Sequence, residues 1–442
     1  MFRKFGLTLL LASAVSGTCF GLDNPPFPRI AANDIGSPQN YEDPTVQAQL
    51  ARFNFALINI WPGWSGGHGG VSIQQVVQNI TALNPNSLVF IYTDVNELGD
   101  ADNSGSDVWS VERNKLNSMG WWLYPNGGGG TRVKSTWGTN YYTINTTSFV
   151  PVDSNGYHFT DWMAHYLVST FYAPNPALAG IYTDNVPYLP FVDGDWNRDG
   201  TTDSKDNTTV ATWDRLGYQN LFKVERSLLP SGKYLIGNLS NFGNPAAVFP
   251  ELQGQLNGGF MEGLIGYSWS VETWSGWTQM MAAYRKIMGA IAAPKLAMFA
   301  QIGSPTDYQS VRYGLASCLM DDGYFTFNST SGYSDMPWFD EFNAALGQST
   351  SAPATTAWQK GVYRRDFANG IALVNPKGNG TQTVTLEADF RHLSGTQAPA
   401  INNGQTTRTV TLNDRDGILL LRTTAPATVT QKPNAPANVI VQ

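Results

Sequence analysis

The 442-residue sequence predicts a (β/α)8 barrel followed by a small all-β sandwich. Three observations carry that expectation. Between about residues 27 and 346, short apolar runs rich in β-formers alternate with helical patterns. Most of those runs are continuously apolar rather than alternating, as in parallel strands covered on both faces. Near residue 350 the pattern gives way to short strands separated by turn residues. A doubly wound open sheet is the rival arrangement for the first part.

In chain order, Arg3 and Lys4 precede an apolar run from Phe5 to Val15, and Cys19-Phe20-Gly21 offers a peptidase site before Leu22. That layout reads as a secretory signal over residues 1–21, too short to span a bilayer. Residues 22–348 form the barrel. Its expected strands are Arg29–Ala31, Phe55–Ile60, Ser87–Tyr92, Gly120–Leu123, Gly180–Thr183, Tyr234–Gly237, Gly258–Glu262 and Lys295–Gln301. Helical patterns over Ser72–Leu83, Asp161–Phe171, Thr209–Leu229, Trp274–Ile291 and Asp307–Met320 lie between them, with Asp307 placed to cap the last. Residues 349–357 are a Ser/Thr/Ala/Pro linker. Over 358–423, the runs Gly370–Pro376, Thr381–Leu386, Thr407–Leu412 and Gly417–Leu421 read as strands of the sandwich. Residues 424–442 are a Pro- and Ala-rich tail.

Composition narrows the function. The formal charge is −7, charged residues are 14% and aromatics 12%. No basic footprint for nucleic acid is present, and no later run is long enough for a membrane span. Low charge with many Trp, Tyr and Asn suits a secreted, periplasmic or cell-surface protein, expected to be a monomer, that handles neutral polar ligands. Once a signal is removed, Cys318 is the single cysteine, so no intrachain disulfide is expected. Four His and one Cys cannot build a zinc cluster or a Cys–His dyad. No nucleophile elbow, P-loop or dinucleotide fingerprint follows a strand, and no organic cofactor is expected.

Reactive groups of a barrel sit at the C-terminal ends of its strands. Asp184 ends Gly180-Ile181-Tyr182-Thr183-Asp184, and Glu262 ends Gly258-Gly259-Phe260-Met261-Glu262. Glycosidic cleavage needs one carboxyl protonated and another ionised, which makes Asp184 and Glu262 the expected catalytic pair. Asp184 is read as nucleophile or base, and Glu262, with its longer side chain, as acid. The plainer alternative is that each merely accepts hydrogen bonds from loop backbone. Asp94, at the end of Phe90-Ile91-Tyr92-Thr93, and Asp322, before Gly323-Tyr324-Phe325, are expected to bind substrate or support the pair. Trp61, Trp64, Trp122 and Trp269 offer flat faces to sugar rings, and the amides of Asn185 and Asn238 suit hydroxyl groups. His68, in a Gly-rich loop, reads equally as a hydroxyl partner and as an ordinary loop residue.

A separate motif predicts a structural calcium ion, the plainer alternative being a solvated acidic turn. From Asp195 to Asp206, oxygen donors occupy loop positions 1, 3, 5, 9 and 12 through Asp195, Asn197, Asp199, Asp203 and Asp206. Gly200 stands at position 6, and the Thr201 carbonyl serves position 7.

With these residues in view, the chain resembles the proteins grouped as hypothetical glycosyl hydrolase family fifteen, which are similar in layout to barrel endo-α-1,4-polygalactosaminidases. The matching segments are Gly180–Asn185, Gly258–Gly263, Tyr313–Phe325 and Trp358–Leu421, the last including Asn369–Pro376 and Asn413–Leu420. The resemblance implies a barrel with a C-terminal β-domain and a catalytic Asp and Glu at strand ends. The calcium-like segment departs from that pattern. The expectation is therefore a secreted glycoside hydrolase acting on a poly- or oligosaccharide. The alternative is a non-catalytic carbohydrate-binding or cell-surface protein on the same scaffold.

Overall fold

The computed structural model describes residues 24–423 except 37, 60–70, 101–107, 240–244 and 331. The expected signal (1–21), the tail (424–442), Trp61, Trp64 and His68 lie outside the described residues.

Eight parallel strands make the barrel: β1 (Ala31–Asp34), β2 (Phe55–Asn59), β3 (Leu88–Thr93), β4 (Gly180–Thr183), β5 (Tyr234–Asn238), β6 (Gly258–Ile265), β7 (Leu296–Gly303) and β8 (Tyr324–Ser329), paired in that order. A parallel bridge between Ile30 and Phe325 brings β8 back to β1, with Phe325 N–H donating to the Arg29 carbonyl at 2.8 Å. Successive strand residues face opposite ways. Phe55, Leu57, Phe90, Tyr182, Ile236, Phe260, Met298 and Tyr324 fill the inside. Ile58, Val89, Ile91, Ile181, Leu235, Met261, Phe299 and Phe325 join the larger core that includes the helices. The near-continuous apolar runs of the sequence reflect this double burial.

The outer layer contains α1 (Pro44–Leu50), α2 (Ile73–Leu83), α3 (Val108–Met119), α4 (Phe159–Leu167), α5 (Thr208–Leu228), α6 (Val271–Ala290) and α7 (Tyr308–Cys318). Side-chain oxygens satisfy free N–H groups at their starts. Ser72 accepts from Gln75 N–H at 3.2 Å, and Asp307 from Ser310 N–H at 3.1 Å, as the sequence predicts. Cys318 is buried and free.

One expected strand is corrected. Gly120–Leu123 is not in the barrel; it follows α3 inside the long insertion between β3 and β4, where Trp122 makes only a lone bridge to Ile144. The eighth strand is Tyr324–Ser329 instead. Its inward Thr326 and Asn328 are polar, which hides the strand from an apolar-run search. Both are buried, and Asn328 Nδ2 donates to the Asn33 carbonyl at 2.9 Å. Asp184 thus follows the fourth strand and Glu262 lies on the sixth.

The C-terminal all-β unit comprises β9 (Tyr363–Phe367), β10 (Gly370–Asn375), β11 (Gln382–His392), β12 (Thr406–Leu412) and β13 (Asp416–Arg422), antiparallel in the order β9-β10-β13-β11-β12. It encloses its own apolar cluster of Ile371, Leu373, Val384, Phe390, Val410 and Leu420. It is fixed to α7 by a buried Arg312–Asp416 pair at 3.1 Å. A second guanidinium, on Arg365, donates to the carbonyls of Leu319 and Asp321 below the barrel.

Candidate active site

The strand period delivers the site. Inward positions two residues apart run Tyr92 to Asp94, Tyr182 to Asp184, Ile236 to Asn238 and Phe260 to Glu262, so the last members meet at the C-terminal mouth. A cavity of about 610 Å³ opens there, lined by Asp94, Asp184, Asn185, Asn238, Glu262 and Trp269 among the expected residues. Tyr92, Glu97, Trp137, Val186, Phe191 and Tyr333 complete its lining.

Asp184 is held by its own strand and the one beside it. Its N–H donates to the Thr93 carbonyl at 2.7 Å. Tyr92 Oη donates to Asp184 Oδ2 at 2.5 Å, and Tyr182 Oη to Oδ1 at 3.2 Å. The two phenol rings stack, with centroids 5.5 Å apart. Burial and the neighbouring carboxylates hold both phenols well above the usual tyrosine range, so they remain donors.

Glu262 is placed by a register irregularity in β6 between Met261 and Ile265. Such an irregularity re-aims a side chain. Gly263 makes it possible: its φ is 74°, and an added Cβ would lie 2.0 Å from the Trp269 ring. Asn238 Nδ2 donates to Glu262 Oε2 at 3.1 Å, and the Tyr333 hydroxyl donates to Oε1. Tyr333 in turn shares a 2.6 Å hydrogen bond with Tyr267. Burial pushes the Glu262 carboxyl above its ordinary value, with the Asp184 charge adding to that; the Tyr333 and Asn238 bonds oppose it.

Asp94 and Glu97 form a second acidic tier. Asp94 accepts from Asn96 N–H at 2.8 Å and from Asn185 Nδ2 at 3.1 Å. Burial first, and the Asp184 charge second, raise it to about 7. Burial and the charges of Asp94 and Asp184 raise Glu97 to about 8. Asn185 adopts φ 52°, a left-handed turn that Asn tolerates.

Two expected substrate residues lie elsewhere. Trp122 is 1% exposed, donates its indole N–H to Asn117 Oδ1 at 2.8 Å and packs edge-on against Tyr142. It belongs to the core of the insertion. Asp322 precedes β8 rather than following it, so it sits at the opposite end of the barrel, where Arg365 pairs with it at 2.5 Å. The sequence reading missed Tyr92, Tyr182, Glu97, Trp137 and Tyr333. The Tyr-x-Asp spacing at 92–94 and 182–184 was an available signal for the first two; Tyr333 and Trp137 lie on loops without one.

The acidic loop at 195–206 folds around backbone donors. Asp195, 1% exposed, accepts from Asp199 N–H at 3.0 Å and Gly200 N–H at 2.8 Å. Asn197 accepts from Asp199 N–H at 3.0 Å, Asp199 from Thr201 N–H at 2.8 Å, and Asp203 from Trp196 N–H at 3.0 Å. Asp206 pairs with Lys205 at 3.2 Å. Among the described residues no group of three or more His, Cys, Asp or Glu side chains is arranged to hold a metal ion. No helix among them is long and apolar enough to cross a membrane.

Residues 82–371, about two thirds of the chain, match the family described as Hypothetical glycosyl hydrolase family 15. The chain belongs to this family. The matched span of this glycosyl hydrolase family runs from α2 to β10 and contains Asp94, Asp184, Asn238 and Glu262. No curated protein matches the chain. Among solved structures it is similar to the cycloalternan-forming enzyme from Listeria monocytogenes in complex with a pentasaccharide substrate (11% identity, TM-score 0.46, covering 89% of this chain and 41% of that one). It is also similar to the cycloalternan-degrading enzyme from Trueperella pyogenes (12%, 0.46, 89% and 62%). A third is the glycoside hydrolase family 30 subfamily 8 xylanase Xyn30A from Clostridium acetobutylicum (12%, 0.41, 89% and 95%). The chain spans about two fifths of the length of the Listeria proteins it matches.

Proposed function

We propose that this chain is a secreted glycoside hydrolase that cleaves a poly- or oligosaccharide with Glu262 as general acid and Asp184 as nucleophile or base. The observation that carries the reading is that two carboxyls face one cavity, each held at both oxygens by hydrogen-bond donors. Burial favours the protonated form of Glu262 against the bonds from Tyr333 and Asn238, and two phenol O–H groups are aimed at the oxygens of Asp184. In the reaction the bond from the anomeric carbon to the leaving oxygen breaks, and Glu262 gives that oxygen its proton. Water supplies the hydroxyl that ends on the anomeric carbon and the proton that restores the pair.

A product screen against a polysaccharide panel tests this, with Glu262→Gln as the control. Loss of the acid should lower turnover by ~10²–10⁴ without unfolding the chain. Because the acid works protonated and its value is raised, the wild-type rate should fall on the alkaline side as pH rises through that value. A Glu262→Gln protein that keeps the wild-type rate removes the residue from the mechanism.

We also propose that the 195–206 loop takes a calcium ion. Support comes from the donor spacing and from backbone that wraps Asp195, with φ 62° at Arg198 and 93° at Gly200. Binding would draw Asp203 and Asp206 from their present partners. Calcium should raise the melting temperature and a chelator should reverse it; identical melting curves would dismiss the site. Secretion predicts a mature N-terminus at Leu22, read by sequencing the exported protein, and monomer behaviour is read by light scattering.

A further inference from the structure

The insertion between β3 and β4 sends a short two-stranded antiparallel ribbon to the cavity wall. Its strands, Glu97–Gly99 and Tyr141–Thr143, pair antiparallel, with Glu97 opposite Thr143. The turn leading into the second strand carries Trp137, tied by its N–H to Ser135 Oγ at 3.0 Å. Trp137 lines the cavity and is 60% exposed, touching Phe191 edge-on at 5.9 Å. Most of a large flat ring is therefore left uncovered in a concave site. Beside it in the lining, Glu97 is 7% exposed, and its Oε2 is buried without a hydrogen-bond partner among the described residues. An orphaned buried oxygen is costly unless something supplies its partner. Among the described lining residues none is Lys, Arg or His, while four are carboxylic acids.

We infer that this ribbon builds a sugar subsite for an uncharged pyranose, with Trp137 stacking on the ring's C–H face and Glu97 bonding one of its hydroxyls. The inference rests on the hydrolase reading and adds a substrate class to it. Sugars bearing carboxylate or sulfate would meet these acids with no cation among the described lining residues to offset them. A neutral hydroxyl suits Glu97, whose carboxyl, raised to about 8 mainly by burial, can both donate and accept. Trp137 and Glu97 line the same cavity as the Asp184–Glu262 pair, and in this reading they set which chain fits.

The test reads binding without turnover. Glu262→Gln protein is run through native gels containing xylan, mixed-linkage β-glucan, dextrin, galactomannan, alginate or polygalacturonate, and compared with the same protein carrying Trp137→Ala, Trp137→Phe or Glu97→Ala. At least one neutral polymer should retard the parent, and Trp137→Ala should weaken that retardation roughly tenfold. Trp137→Phe, which keeps a flat ring, should lose less, and Glu97→Ala should lose binding while melting like the parent. Equal retardation of parent and Trp137→Ala overturns the inference, as does retardation by the acidic polymers alone or by none. Wild-type turnover is measured separately, so a chain that binds but does not cleave sinks the hydrolase reading and spares the subsite.

Discussion

The same tetrapeptide occurs twice, on neighbouring strands. Ile91-Tyr92-Thr93-Asp94 closes β3, Ile181-Tyr182-Thr183-Asp184 closes β4, and the two pair in register from Ile91 with Ile181 to Thr93 with Thr183. Up to the threonines they behave alike: the isoleucines face the helices and the tyrosines stack inside. The aspartates then part company. Asp184 receives both phenols and is half-buried in the open cavity. Asp94 is 7% exposed and receives a backbone N–H and the Asn185 amide. Two like charges on adjacent strand ends disfavour each other's ionisation, and the more buried one gives way. Local sequence puts a carboxyl at each strand end; the packing and hydrogen-bond partners around it make the two sites different.

The largest expected effect separates these twins. Asp184→Asn should lower turnover by ~10²–10⁴, because the anion is lost while shape is kept. Asp94→Asn should cost about tenfold or less, since it acts only by holding Asn185 and the chain after Asp184. Steady-state rates on the polymer found in the panel decide it. Comparable losses for the two variants would mean that the twins share the role and that the asymmetry in their surroundings carries no chemistry.

The tyrosines sharpen the comparison at smaller scale. Tyr92 crosses from β3 to bond the β4 aspartate at 2.5 Å, whereas Tyr182 bonds its own strand's aspartate at 3.2 Å. A hydrogen bond to a charged group is worth roughly 1.5–3 kcal/mol. Tyr92→Phe should therefore lose about 10- to 100-fold in rate, and Tyr182→Phe distinctly less. The reverse order would show that the strand's own phenol does the positioning.

This comparison also shows why the site was partly legible. Asp94, Asp184, Asn185, Asn238 and Glu262 could be read because strand ends in a barrel have one destination, and a two-residue period fixes which side chains reach it. Asp322 failed because the strand after it was not recognised: Tyr324–Ser329 carries polar residues inward, so nothing marked the acid before it as lying at the end of the barrel away from the mouth. Trp122 failed because a loop tryptophan and a core tryptophan look the same in sequence, and only packing against Tyr142 and the bond to Asn117 separates them. Tyr333 and Trp137 come from loops whose direction no periodicity sets.

The smallest expected effect concerns stability. Folding raises Asp94 from 3.8 to about 7, chiefly by burial. Between those values the folded chain keeps a proton that the unfolded chain has released, so wild-type stability falls as pH rises through this window and levels off above it. The loss should be present in full at pH 8 and absent near pH 3.5. Asp94→Asn cannot ionise; the Asn96 N–H still meets a side-chain oxygen, and the Asn185 amide can turn to accept from the new one. The variant should therefore lie closest to wild type, or below it, at the acid end and gain on it by roughly 1–3 kcal/mol by pH 8, after discounting for relaxation around the buried carboxyl. Urea unfolding at both pH values measures the gain. A difference that does not grow with pH would mean Asp94 is ionised across the range, and the two aspartates would then stand as equals at the barrel mouth.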